Sequence, residues 1–127
     1  MIKGLGLDLT ELHRIRETWN RFGSRFAEKI LTERELAQLP RHDPVPRLAA
    51  LFAGKEAAVK ALGTGFADGV HFKCVEILHA ESGKPGISFL HRGREVCERL
   101  GVTAAHISLT HSRDTAAATV VLEGDSR

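Results

Sequence analysis

Phe52-Ala53-Gly54-Lys55-Glu56-Ala57-Ala58-Val59-Lys60-Ala61-Leu62-Gly63-Thr64-Gly65 decides how the chain is read. Wound at about 100° per residue, it puts Glu56 and Lys60 on nearly one side, while Leu48, Leu51, Phe52, Val59 and Leu62 spread around the rest. Such a helix is expected to be buried, and a carboxylate on it must find a cation, a set of donors or a metal. Two readings of Glu56 stand at this point. It pairs with Lys60 at i,i+4, for roughly 0.3 to 0.5 kcal/mol, or it belongs to a functional site.

The N-terminus bears on the choice. Ile2-Lys3-Gly4-Leu5-Gly6-Leu7-Asp8-Leu9-Thr10 alternates with period two and reads as a strand, with Leu5, Leu7 and Leu9 on one face and Gly4, Gly6 and Asp8 on the other. Two glycines weaken a strand unless another backbone or a ligand comes close, and aspartate is a poor strand residue. The strand is built to present Asp8, or Asp8 simply ends it and caps the next helix.

Taken together, Gly6-Leu7-Asp8-Leu9-Thr10-Glu11 and the segment from Phe52 to Gly65 resemble the paired signatures of the 4′-phosphopantetheinyl transferases, and within them the small holo-acyl-carrier-protein synthase branch. Arg25-Phe26-Ala27-Glu28-Lys29-Ile30-Leu31-Thr32, Gly83-Lys84-Pro85 and His106-Ile107-Ser108-Leu109-Thr110-His111, leading into Thr115-Ala116-Ala117-Ala118, come in the family's order and extend the likeness over nearly the whole chain. The resemblance implies one transferase domain over residues 1–127. Its fold is α+β, a small antiparallel sheet packed with a long buried helix, and the sheets of three copies meet in a homotrimer core.

Composition agrees with that expectation. The chain has 127 residues, 43% hydrophobic and 27% charged, ordinary values for a globular protein. There is no secretory-type leader and no apolar run near the ~18 residues that a membrane span needs, so a cytoplasmic protein without membrane partners is expected. A net charge of +2 is too mild to imply nucleic acid. Cys74 and Cys97 lack metal-type spacing and read as reduced, partly buried hydrophobes.

The rest of the chain parses simply. Glu11 to Phe22 reads as a helix with an apolar stripe of Leu12, Ile15, Trp19 and Phe22, and Thr32-Glu33-Arg34-Glu35 as a capping box opening a short helix through Leu39. The long helix is expected from about Arg47 to Leu62, with Gly63 as its C-terminal stop. Because Gly63-Thr64-Gly65 comes after a helix and does not open one, it is not a P-loop. Strands are expected at Val70 to His79 and Gly86 to Leu90, a helix at Arg92 to Leu100, and a hairpin of Ala104 to Thr110 with Thr115 to Leu122. His13, His42, His79 and His91 read as surface residues.

The chemistry that the resemblance implies is specific. The reaction moves 4′-phosphopantetheine from coenzyme A to a serine of apo acyl carrier protein in fatty acid biosynthesis, releasing adenosine 3′,5′-bisphosphate. Asp8 and Glu56 would hold Mg²⁺, which takes one or two carboxylates plus phosphate oxygens, and Lys60 would neutralise a phosphate oxygen or the leaving group. Asp8, Glu56 and Lys60 form the catalytic set. Lys60, Gly65, Lys84, Pro85, His111 and Ser112 are the coenzyme A candidates, with Lys84 and His111 reaching in from a neighbouring subunit. Without the resemblance, His111 reads as a hairpin-turn histidine. Arg14, Arg21, Arg25 and Phe26 are the carrier-protein candidates, or else an ordinary solvated face.

The acceptor of the serine proton stays open between Glu56 and a metal-bound water. Two departures from the family's pattern stand out: Leu51 where an arginine is usual, with Arg47 as its possible substitute, and Gly54 for an alanine, at roughly 1 kcal/mol. The alternatives are a catalytically weak carrier-binding homologue, or a transferase dedicated to a polyketide carrier protein. The larger, two-halved transferase branch is excluded by length and by the lack of an internal repeat.

Overall fold

The computed structural model describes residues 1–126. Strand β1 (Ile2–Glu11) leads into α1 (Leu12–Phe22), α2 (Ser24–Ile30), α3 (Glu33–Ala37) and the long α4 (Val45–Leu62). A hairpin of β2 (Val75–His79) and β3 (Pro85–Phe89) comes next, then α5 (His91–Leu100), β4 (Val102–His111) and β5 (Thr115–Gly124). β1, β5 and β4 make a three-stranded antiparallel sheet in that order, and β2–β3 a second, two-stranded one. The expected α+β class is the one that forms.

α4 is the centre of the fold. Pro46 in its first turn and Gly63 in the left-handed region at its end, φ 81°, fix its limits. Between them, 13 of 18 residues are buried. The helix lies across the inner face of the three-stranded sheet, closest to β1 and β5. Gly4 and Gly6 make that approach possible: a Cβ on either would collide with a backbone carbonyl of α4, Ala61 for Gly4 and Ala57 for Gly6. At Gly54, expected to cost stability as a helix glycine, the space of a Cβ is taken by Ile77 of β2, whose Cδ1 would lie 2.6 Å away. Packing against that hairpin offsets the intrinsic penalty.

With the glycines turned in, the leucines of β1 face out. Leu5, Leu7 and Leu9 are 67%, 63% and 69% exposed. The register aligns them with Val121, Thr119 and Ala117 of β5 and, beyond, His106, Ser108 and Thr110 of β4, so the outer face of the sheet is apolar along β1 and turns polar toward β4.

One core residue was not anticipated from sequence. Lys55 of α4 is wholly buried and donates to Glu35 Oε1 at 2.7 Å, to the Val75 carbonyl at 2.7 Å and to the Phe72 carbonyl at 3.0 Å. Glu35 in turn accepts from the Thr32 and Ile77 backbone N–H groups. The capping box is thus also the counter-ion of a buried lysine, joining α3, α4 and β2. Burial still pushes the Lys55 ammonium below its ordinary range, with Glu35 working against the shift.

Other expectations are corrected. The chain from Val70 does not enter a strand directly: Phe72–Cys74 form a 3-10 turn capped by His71, and β2 starts at Val75. A separate helix, α2, begins after Gly23, which sits at φ 58°. Phe22 leaves the apolar stripe and is 48% exposed, with the Arg21 guanidinium over its ring. His79 is half-buried rather than on the surface. Both cysteines are free and buried, as expected, and burial pushes the Cys97 thiol up to about 11.

Truncating the buried cation gives a direct test of the core. Lys55→Met should destabilise the protein by about 3–5 kcal/mol, because Glu35 is left buried without its cation. Lys55→Met with Glu35→Gln should recover part of that loss, since no buried charge is left unpaired, but not all of it, because Thr32 and Ile77 donate to different oxygens of Glu35 and the amide oxygen replaces only one of them; urea unfolding of the three proteins reads the difference.

Candidate active site

The geometry of the site starts from the glycines of β1. Because they draw α4 onto the strand, its last two turns stand over Asp8. Lys60 Nζ donates to Asp8 Oδ1 at 3.0 Å and to the Leu7 carbonyl at 3.1 Å. Thr10, two residues along and on the same face, donates from its hydroxyl to Asp8 Oδ2 at 3.2 Å. The i,i+4 pair expected of Lys60 and Glu56 does not form, since Lys60 is spent on Asp8. Lys60 otherwise stays exposed.

Glu56 is half-buried, and among the described residues no donor contacts its carboxylate. Burial raises its affinity for a proton, the charge of Asp8 raises it further, and Lys60 partly offsets both. Asp8, Thr10, Arg14, Phe26, Phe52 and Glu56 line one cleft of about 370 Å³. Two hard oxygen donors that repel each other across a cleft suit a divalent cation that keeps part of its water shell. No cluster of three or more metal-type side chains exists among the described residues, so these two carboxylates are the whole protein contribution such an ion would have.

A second cleft, about 380 Å³, opens at the other end of α4 and includes Arg47, His79, Gly83, Pro85, Thr110 and His111. It shares no lining residue with the first. Arg47 and Glu56 are nine positions apart on the helix, about 14 Å along its axis. Leu51 is buried and cannot reach a ligand, while Arg47, one turn earlier, can. Lys60 reaches Asp8 but is not itself in the wall of either cleft, and three further expected residues line neither. Gly65 lies in the loop after α4, where its N–H donates to the Val59 carbonyl, Lys84 is exposed in the β2–β3 turn, and Ser112 is exposed beside the β4–β5 turn.

The basic strip divides as well. Arg14 is exposed, with Glu11 at 3.5 Å, and belongs to the Asp8 cleft. Arg25 and Phe26 line a shallow depression with Thr18, Phe22 and Lys29. Phe26 is half-buried, so the exposed aromatic of this surface is Phe22. Sequence reading passed over Phe22, Thr10 and His79. Thr10 could have been found from its i,i+2 spacing to Asp8; nothing in the local pattern marks the other two.

Known proteins give the chain a family. The sequence profile of the 4′-phosphopantetheinyl transferase superfamily matches residues 4–121. The holo-[acyl-carrier-protein] synthase of Maridesulfovibrio salexigens is 56% identical over 123 residues, covering 97% of this chain and 99% of its own. The crystal structure of holo-[acyl-carrier-protein] synthase from Neisseria meningitidis superposes with a TM-score of 0.87 at 39% identity, covering 97% of this chain and 99% of that one. A Bacillus anthracis holo-(acyl-carrier-protein) synthase crystallised with CoA (3′,5′-ADP) gives 0.79 at 34% identity, covering 98% and 99%. With Asp8 and Glu56 in one cleft of the matching fold and Lys60 bonded to Asp8, the chain belongs to the 4′-phosphopantetheinyl transferase superfamily.

Proposed function

We propose that the protein transfers 4′-phosphopantetheine from coenzyme A to a serine hydroxyl of apo acyl carrier protein, as one cytoplasmic domain serving fatty acid biosynthesis. The observation that carries this reading is the pair Asp8 and Glu56 in a cleft that Arg14 also lines, with Lys60 bonded to Asp8. In the reaction the serine oxygen bonds to the phosphorus that bears the pantetheine, the bridging P–O bond of the pyrophosphate breaks, and adenosine 3′,5′-bisphosphate leaves. Phosphoryl transfer of this kind is mainly positioning and charge neutralisation.

Each residue has work of that sort. Asp8 and Glu56 would hold Mg²⁺, which when bound neutralises the oxygens of the pyrophosphate. Lys60, held over Asp8 by two hydrogen bonds, is placed to meet a phosphate oxygen without having to reorganise. Burial and the charge of Asp8 raise the proton affinity of Glu56, which makes it this chain's own candidate for accepting the serine proton. The presence of all three side chains, brought together by the fold, speaks against a carrier-binding homologue without catalysis.

The second cleft and the exposed leucines support a homotrimer. A three-stranded sheet whose outer face carries Leu5, Leu7 and Leu9 is better covered by copies of itself than by water. Such packing would bring His111 and Lys84 of one copy to Asp8 and Glu56 of the next, completing a coenzyme A site that one chain divides between two clefts. Arg14, Arg21 and Arg25, around Phe22 and Phe26, form a basic rim with an aromatic centre suited to an acidic helical carrier.

Asp8→Asn and Glu56→Gln should each lose at least two orders of magnitude of activity. Since the fold holds the Glu56 charge against burial and against Asp8, Glu56→Gln without metal should melt no lower than wild type; Mg²⁺ should raise the wild-type melting temperature and leave both variants unmoved, as thermal unfolding with and without the ion will show. Mixing inactive Asp8→Asn with inactive His111→Ala chains should restore partial activity through hybrid interfaces, whereas a fully active monomer by light scattering would refute the shared site. Arg14→Ala with Arg25→Ala should weaken apo-carrier binding, in a salt-sensitive way because the Debye length falls to about 3 Å at 1 M, and leave coenzyme A titrations and folding unchanged.

A further inference from the structure

His79 is held unlike any other histidine of the chain. Both its backbone groups are clamped by one side chain: the Gln38 amide donates to the His79 carbonyl at 2.9 Å and accepts from its N–H at 2.8 Å. The residue stands at the end of β2 opposite Pro85, with its side chain in the wall of the Arg47–His111 cleft. Its Nδ1 is buried and, among the described residues, is the side-chain polar atom left without a hydrogen-bond partner. Such atoms are rare enough to need a cause. Burial and the nearby charge of Arg47 both hold the ring below its ordinary proton affinity, so the imidazole is neutral at physiological pH.

A neutral ring with Nδ1 sealed in protein offers Nε2 to whatever enters the cleft, as a single donor or a single acceptor. It brings no charge to a phosphate. Charge in this cleft comes from the Arg47 guanidinium, with the imidazoles of His42 and His111 also in its wall; Asp43 is already taken by two hydrogen bonds from Arg16. Ala50, Pro85 and Leu109 supply apolar wall. The cleft therefore combines a cation, an apolar wall and, in His79, a neutral hydrogen-bonding group on a clamped strand end, which is the recognition chemistry of a nucleotide.

Building on the coenzyme A reading, we propose that His79 is a specificity-determining residue for the nucleotide end of the donor, hydrogen-bonding the edge of its purine base while Arg47 serves the phosphate. Gln38 acts as a positioning residue, fixing the strand end from which the imidazole projects. The contact binds the donor and takes no part in bond breaking, so it belongs in KM for coenzyme A and not in kcat.

Two variants of the full chain test this, with coenzyme A and apo carrier protein varied separately. His79→Phe keeps the ring and removes both nitrogens; His79→Gln returns a donor and an acceptor. His79→Phe should raise KM for coenzyme A about tenfold, the order expected when a hydrogen bond built to read a substrate is lost, with kcat, KM for the carrier and the thermal midpoint unchanged. His79→Gln should recover most of that loss. The same ratio should appear with 3′-dephospho-coenzyme A, and in direct calorimetric titration of adenosine 3′,5′-bisphosphate.

An unchanged KM for His79→Phe would overturn the assignment. So would a defect that vanishes with the dephospho substrate, which would make His79 a phosphate ligand, or equal losses of kcat and thermal midpoint in both variants, which would make it purely structural. Failure of the transferase reading itself looks different: the wild-type protein would then transfer nothing, while the titration would still report whether His79 reads the nucleotide.

Discussion

The contact of Gly4 and Gly6 with the Ala61 and Ala57 carbonyls sets the spacing of everything else. A strand and a helix normally keep their backbones apart by the thickness of side chains. Here one strand face has none at the crossing, so the helix sinks onto it and carries Glu56 and Lys60 to Asp8. The cost of two glycines in a strand is met by burial of α4, and the benefit appears as the Asp8–Lys60 bond at 3.0 Å. Any side chain in place of Gly6 would lift the helix off the strand, separating carboxylates that must act together.

The same helix uses its three charged central residues in opposite ways. Lys55 faces the hairpin and is sealed, its proton held by Glu35 and two carbonyls, so it serves packing and register. Glu56 and Lys60 point to the other side, where water and ligand can reach them. A helix interior can tolerate Lys55 only because every one of its donors is occupied. Glu56 is tolerated for another reason: its carboxylate opens on a cleft, and the energetic discomfort seen in its raised proton affinity is what a bound cation would relieve. Between these two neighbours on the helix, full satisfaction goes with Lys55, which is sealed in the core, and its lack with Glu56, which faces the cleft.

That distinction explains why some features could be read from the sequence and others could not. The period-two pattern of β1 identified Asp8 and the glycines, because alternation is fixed locally by the pleat. The buried helix and its glycine stop were equally legible, and the family's motifs supplied the roles. Lys55 was missed although it stands with Leu48, Leu51 and Leu62 on one helical stripe, the position where a charge should prompt a search for a partner. Its partner, Glu35, had already been accounted for locally as a capping residue, and only the tertiary fold shows it doing both. His79 was unreadable for a related reason. The expected strand ends at the histidine as β2 does, but the Gln38 clamp on its backbone and the nearby charge of Arg47 come from residues neither close in sequence nor patterned.

The outward leucines of β1 and the two clefts are consequences of one choice. Turning glycine inward gives the strand an active-site face, and the alternation then forces Leu5, Leu7 and Leu9 into solvent. A monomer would suffer for this twice, through exposed apolar surface and through a donor site with its metal-type carboxylates at one end of α4 and its nucleotide-type groups at the other. Association through the sheet would remedy both together, since burying the leucines is what would carry one copy's second cleft toward another copy's first. The glycines that build the carboxylate site inside the chain thus create the surface that would complete it from outside.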